Sequence, residues 1–147
     1  MSRLLPLLLV LMTVSSCQTT TRHFWEIPAS DADYIAYIRQ HPKYGTAVIY
    51  NTDYCKTIGG DACGFFRAQA HAHSDLNHPI LPPDHYPASQ IAAADCWAAR
   101  NATPAEVTAA YDFLSNEDRE PAIPVVGDPV KRADNIRQCA LAADNWK

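Results

Sequence analysis

No apolar run in this 147-residue chain approaches the roughly 20 residues that a membrane-spanning helix needs. No glycine-rich phosphate loop, no Ser/His/Asp order and no pair of carboxylates at catalytic spacing stands out, which leaves phosphoryl transfer and serine-type hydrolysis without candidates. None of the five cysteines stands at CxxC spacing, so neither a zinc ribbon nor a thioredoxin-like redox pair is encoded. Basic residues are outnumbered, 12 Lys and Arg against 16 Asp and Glu, and they form no cluster suited to nucleic acid. There are no internal repeats.

What the chain does have begins at its N-terminus. Arg3 precedes an apolar run from Leu4 to Val14 broken only by Pro6 and Thr13, and Val14-Ser15-Ser16-Cys17 closes it. This is the pattern of a short secretory signal with small residues before its cleavage point. Its ending resembles the bacterial lipobox. That resemblance implies cleavage before Cys17, lipid on Cys17 and a membrane tether. With Gln18 rather than Asp after the cysteine, the resemblance to sorted lipoproteins implies the periplasmic face of the outer membrane. The expected organisation is a signal peptide over 1–16, a lipidated tether over 17–23 and a single periplasmic domain over 24–147. The mature chain would hold 11 basic and 16 acidic side chains, a net charge of −5.

About 120 residues make one small domain that profits from covalent staples. With Cys17 set aside, Cys55, Cys63, Cys96 and Cys139 remain, and an even number in an oxidising compartment reads as two disulfides. Three pairings are open; Cys55 with Cys63 and Cys96 with Cys139 is favoured because the first pair brackets one short loop. The larger loop would contribute up to ~4 kcal/mol through the unfolded chain's lost entropy.

Phe24 to Ile27 reads as a short strand or anchoring segment. From Ser30, acids in a first turn and the spacing of Ile35 and Ile38 predict a first helix through Gln40. Thr46 to Tyr50 is β-branched and aromatic, a strand. Asn51 to Asp61 is expected as loop, followed by a second helix from about Gly64 to Leu76 that Pro79 stops. The proline-rich segment His78 to Pro87 is irregular. Ser89 is expected to cap a third helix, Gln90 to Arg100. Thr103-Pro104-Ala105-Glu106 is a capping box that starts a fourth. Asp128-Pro129 caps a fifth, with Val130, Ala133, Ile136 and Ala140 facing inward. The fold class is α+β, mainly α, with one strand or a short hairpin.

On a helical wheel Phe65, Phe66, Gln69, Ala72, His73 and Leu76 share one apolar arc of the second helix, so Gln69 and His73 point inward four residues apart. That is the placement of the two histidines in a metal-binding HExxH helix. The run Ala94-Asp95-Cys96-Trp97-Ala98-Ala99-Arg100 resembles the helix that carries the third zinc ligand in gluzincin-like metallopeptidases. Asn51 and Cys55 upstream, and Gly127-Asp128-Pro129 with Arg132-Ala133 and Asn135 to Ala140 downstream, resemble the surroundings of this helix pair in small secreted members. The resemblance spans roughly residues 46–140 and implies a zincin-like helix pair. It places the first ligand at Gln69, the general base at Ala70, the second ligand at His73, the third ligand at Ile91 and an outer carboxylate at Asp95.

At those positions the chain departs from the family. An amide is a poor zinc ligand, Ile91 cannot ligate, and a missing base costs about 10²- to 10⁴-fold in rate. No cofactor is expected at this site and no catalytic residue is assigned; His73 is expected to contact Asp95 as a structural remnant. On the opposite face His71, Asp75 and His78, at i, i+4 and i+7, with His85 from the loop, form a zinc or copper alternative to an ordinary solvated face. Trp25, Trp97, Tyr111 and Trp146 read as core or rim aromatics. The expected function is a lipid-anchored envelope protein whose degenerate peptidase-like domain binds or scaffolds, with an envelope protein as partner and no nucleic acid. The alternative is a metal-binding protein using the relocated histidines.

Overall fold

In the computed structural model, which describes residues 24–118 and 123–147, the expected strand at 46–50 is the centre of a three-stranded sheet. The signal peptide over 1–16, Cys17 and the tether over 17–23 lie outside the described residues. Strand β1 (Trp25–Pro28) runs parallel to β3 (Gly45–Tyr50), and β2 (Ala36–His41) runs antiparallel to it on the other side. Ala47, Val48 and Ile49 of β3 are all buried, as a strand covered on both faces requires.

The first helix expected over 31–40 does not form. Asn51 explains why: its Nδ2 donates to the carbonyls of Ala32 (2.7 Å) and Ser30 (3.2 Å), groups that a helix would need as acceptors. The chain then enters β2, where Ile38 is buried between half-buried Tyr37 and exposed Arg39. The Ile35/Ile38 spacing was compatible with a helix, but central β3 needed a second partner.

Asn51 works in the other direction too. Its Oδ1 accepts from Asp53 and Tyr54 N–H, both at 2.9 Å, and starts helix α1 (Thr52–Ile58), so the expected loop is a two-turn helix. Gly59, at φ +91°, turns the chain into α2 (Gly60–Asp75), four residues longer at its start than the sequence suggested. The Cys55–Cys63 disulfide clips α1 to α2 with Cα atoms 5.1 Å apart.

Helix α3 (Ala88–Asn101) starts after Pro87 rather than at a Ser89 cap. Helix α4 (Pro104–Ser115) carries the expected capping box, and α5 (Pro129–Ala142) the expected Asp128 cap. Cys96–Cys139 joins α3 to α5, Cα to Cα 5.2 Å. Phe65 and Phe66 of α2, Ala98 and Ala99 of α3, Val107, Ala110 and Leu114 of α4, and Ala133, Ile136 and Ala140 of α5 form the main core. Val130, expected inward, is 56% exposed, and Arg132 is buried instead. The result is the expected mainly helical α+β domain with two disulfides, its sheet one strand richer than a hairpin. No helix among the described residues is long and apolar enough to cross a membrane.

Candidate functional site

The inward face of α2 delivers Gln69, Ala70 and His73 to one small cavity, which α3 reaches through Ile91, α5 through Arg132 and the proline-rich loop through Tyr86. Four of the five positions implied by the zinc-peptidase resemblance, Gln69, Ala70, His73 and Ile91, line this cavity of about 40 Å³, room for a few waters at most. Asp95, the fifth, sits one helical turn beyond Ile91 and lines an adjoining cleft that Ile91 and Arg132 also border.

His73 has both ring nitrogens engaged. Nε2 lies 3.1 Å from Gln69 Nε2, and Nδ1 lies 3.0 Å from His78 Nδ1. The amide at 69 therefore holds the imidazole by a hydrogen bond rather than sharing a metal with it. Burial, followed by His78 and Arg132 nearby, pushes the pKa of His73 down to about 4, so the ring is neutral at ordinary pH. Tyr86 covers it at 3.9 Å between ring centroids. The Tyr86 hydroxyl donates to Pro79 C=O (2.9 Å) and accepts from Leu81 N–H (3.2 Å), which folds the loop back over the histidine. Burial raises its pKa and the bond from Leu81 opposes the rise.

The expected contact between His73 and Asp95 is not made. Asp95, fully buried, instead takes a two-pronged bond from Arg132: Nε to Oδ2 at 2.8 Å and Nη2 to Oδ1 at 2.7 Å. Burial pushes the Asp95 carboxyl up and the guanidinium pulls it back. The paired short bonds are those of an ionised carboxylate. Arg132 Nη1 also donates to Val126 C=O at 3.0 Å. Sequence reading placed Arg132 only among the residues of the resemblance and missed its bond to Asp95, although its spacing of four and eight residues from Ile136 and Ala140 puts it on the inward face of α5.

As a donor set, one imidazole, one neutral amide and one aliphatic side chain do not fit the zinc that the resemblance implies. The other face does not assemble the alternative site either. His71 Nε2 stands 3.8 Å from Asp75 Oδ1, and its ring packs against Phe24 and Trp97. Burial lowers the His71 pKa while Asp75 opposes the shift. His78 leaves that face altogether: Asn77 takes a left-handed conformation (φ 54°), and His78 N–H closes onto His73 C=O at 2.8 Å. His85 is exposed in a short 3₁₀ turn, Pro83–His85. Among the described residues no group of three or more His, Cys, Asp and Glu side chains is placed to hold a metal ion.

The opposite wall of the cavity is β2. Tyr34 and Ile35, in the bend before the strand, and then Ala36, Tyr37 and Ile38 in succession on β2 line it. Side chains alternate between faces along a strand, so an unbroken run means that the cavity lies along the strand's edge. Among the described residues no strand pairs with that edge: β2 is outermost in the order β1-β3-β2. Asn51 N–H donates to Ile35 C=O (2.9 Å), which fixes the alternation. Ala36, Ile38 and Gln40 therefore turn their N–H and C=O groups away from β3. Past the edge, Tyr34, Tyr37 and Ile38 continue into a shallow groove of about 450 Å³ walled by Ile80, Leu81 and Pro82. No family model, curated protein or solved structure matches this chain.

Proposed function

We propose that this chain is a lipid-anchored envelope protein whose domain binds an extended peptide segment without cleaving it. The observation that carries the reading is the free backbone edge of β2 running along the cavity that holds Gln69, Ala70, His73 and Ile91. A peptide laid antiparallel on that edge would pair with the outward N–H and C=O groups of Ala36 and Gln40, on either side of buried Ile38, and its side chains would enter the tyrosine- and proline-walled groove. Cleavage is not expected, because Ala70 offers no base, Ile91 no ligand, and His73 is neutral with both nitrogens bonded. The lipobox-like ending at Cys17 supports the anchor, and two disulfides suit an oxidising compartment.

Short randomised peptides on an array test the binding, and chelator-sensitive hydrolysis of casein together with zinc content tests the absence of chemistry. The expected result is peptide capture that weakens in Ala36→Pro. That change removes one outward donor at an edge where proline is tolerated. Casein cleavage that a chelator stops, or capture indifferent to Ala36→Pro, would overturn the reading.

A further inference from the structure

The end of the sheet away from the cavity carries a second feature. Trp25 on β1 is 53% exposed, and its indole stacks on Tyr44 with ring centroids 4.5 Å apart. Tyr44 stacks in turn on His41 at 4.8 Å, and the Lys43 ammonium lies 5.1 Å from the Tyr44 ring centre. Trp25 pairs with Ala47 and His41 with Gly45, so all four side chains gather at the β2–β3 turn. None of them belongs to the main core. A single exposed aliphatic side chain needs no explanation, but an indole, a phenol, an imidazole and an ammonium together have the amphipathic character of a lipid–water boundary.

The chain outside the described residues supplies the occupant. Phe24 opens the described part, and six residues, 18–23, separate it from Cys17. Eight peptide steps from Cys17 to Trp25 reach at most ~28 Å when fully extended, and ~16 Å as a relaxed coil. With lipid on Cys17, Trp25 and the turn it packs against lie within reach of the bilayer surface.

We propose that Trp25, Tyr44, His41 and Lys43 form a bilayer-contacting surface that seats the anchored domain with its β2–β3 turn against the phospholipid headgroups. The inference rests on reading Cys17 as the lipid-bearing residue. Ring burial rather than charge drives the contact, since the mature chain carries a net charge of −5 and Lys43 is the one ammonium in the group. A second, weak membrane signal beside a lipid anchor strengthens membrane attachment, and one placed on the folded domain limits the orientations it can take.

The test uses the full-length protein, purified from membranes and reconstituted into phosphatidylethanolamine–phosphatidylglycerol vesicles with and without bromine on the upper acyl chain. Emission of the wild type minus that of Trp25→Phe isolates Trp25, and the mass of the mature N-terminus reports lipid on Cys17 independently. The expected result is a lipid-bearing Cys17 and a blue-shifted Trp25 that brominated lipid quenches at low and high salt alike. A lipidated protein whose Trp25 stays unquenched overturns the inference and leaves the anchor standing. A blue shift without quenching assigns the patch to a protein contact and overturns it equally. A Cys17 without lipid, in a protein that floats free of the vesicles, overturns the inference and the anchor together.

Discussion

Replacing Arg132 by Met tests how the interior around Gln69, His73 and Ile91 is held. The substitution keeps the aliphatic stem but removes both bonds to Asp95 and the one to Val126 C=O. Charge-assisted bonds contribute ~1.5–3 kcal/mol each, and breaking one side of a buried pair typically costs ~3–5 kcal/mol. About 4 kcal/mol is therefore expected, a large share of the ~5–15 kcal/mol that holds a domain together. Asp95→Leu should cost a similar amount, because it strands the guanidinium. The double variant, with neither charge, should recover most of the loss, since well-packed apolar replacements of a buried pair are often neutral or better by ~1–4 kcal/mol.

The pH dependence gives a separate handle. Without Arg132 only burial acts on Asp95, so its folded-state pKa rises further above the unfolded value. A raised carboxyl pKa stabilises the fold below the unfolded value and that stability is lost as pH climbs through the folded one. Arg132→Met should therefore be less stable at pH 8 than at pH 5, relative to the wild type. Urea unfolding followed by far-ultraviolet circular dichroism, with the disulfides kept oxidised, measures all four corners of the cycle. Single-variant costs under ~1 kcal/mol, or costs that simply add, would refute the pairing as the organising contact.

Other perturbations follow from the same geometry. His73 has its pKa depressed to about 4, so the unfolded chain binds the extra proton first as pH falls; stability should fall by ~2–3 kcal/mol between pH 6.5 and 4, and His73→Gln should flatten that slope in urea melts. Gly64→Ala places a Cβ against the Glu106 side chain that closes the α4 capping box. In Glu106→Ala the same change should stabilise by ~0.5–1 kcal/mol, and in the wild type that gain should vanish or reverse, read from paired denaturation midpoints. Asn51→Ala removes the α1 cap and two bonds that hold the approach to β2; a loss of ~2–4 kcal/mol is expected, with faster amide exchange along β2 than along α4. Changing Gln69→His, Ala70→Glu and Ile91→Glu together should create a chelator-sensitive one-equivalent zinc site, detected by elemental analysis, that His73→Ala abolishes.

What could be read from the sequence divides by the range of the interaction. The caps of α4 and α5 were legible because Thr103 with Glu106, and Asp128 with its two N–H donors, act within a few residues. The cysteine pairing was readable as one of three possibilities and is the one observed. The segment from Asp31 to Gln40 was misread because its fate depends on Asn51, about twenty residues away, and on a vacancy beside β3. Local acids and a three-residue apolar spacing carry no information about either. The partner of Asp95 was missed for a related reason: the resemblance directed attention to His73, while the inward position of Arg132 lay in the periodicity of α5. The inward placement of Gln69 and His73 was legible, because one helix wheel settles it. The fate of His78 was not, because Asn77 turns the chain where the wheel no longer applies.

The two surfaces proposed here are linked by a single strand. β2 enters at Ala36, opposite Tyr50 and beside the cavity, and ends at His41, opposite Gly45 and beside Trp25 and Tyr44. Five steps of strand separate the ends by roughly 17 Å. With the His41 end seated on headgroups as proposed, the edge at Ala36 would stand clear of the bilayer and within reach of a partner's extended segment. The same strand would otherwise be a liability, since an unpaired edge invites pairing with further copies of the chain. Exposed Arg39 and Gln40 on β2, and the wall from Ile80 to Pro83 beside it, are features of the kind that discourage edge-to-edge pairing. Trp25→Ala should leave peptide affinity unchanged in detergent and lower it on vesicles, where a mis-seated domain would bury its own binding edge. Equal affinities in both settings would separate the two surfaces and leave the strand without this connecting role.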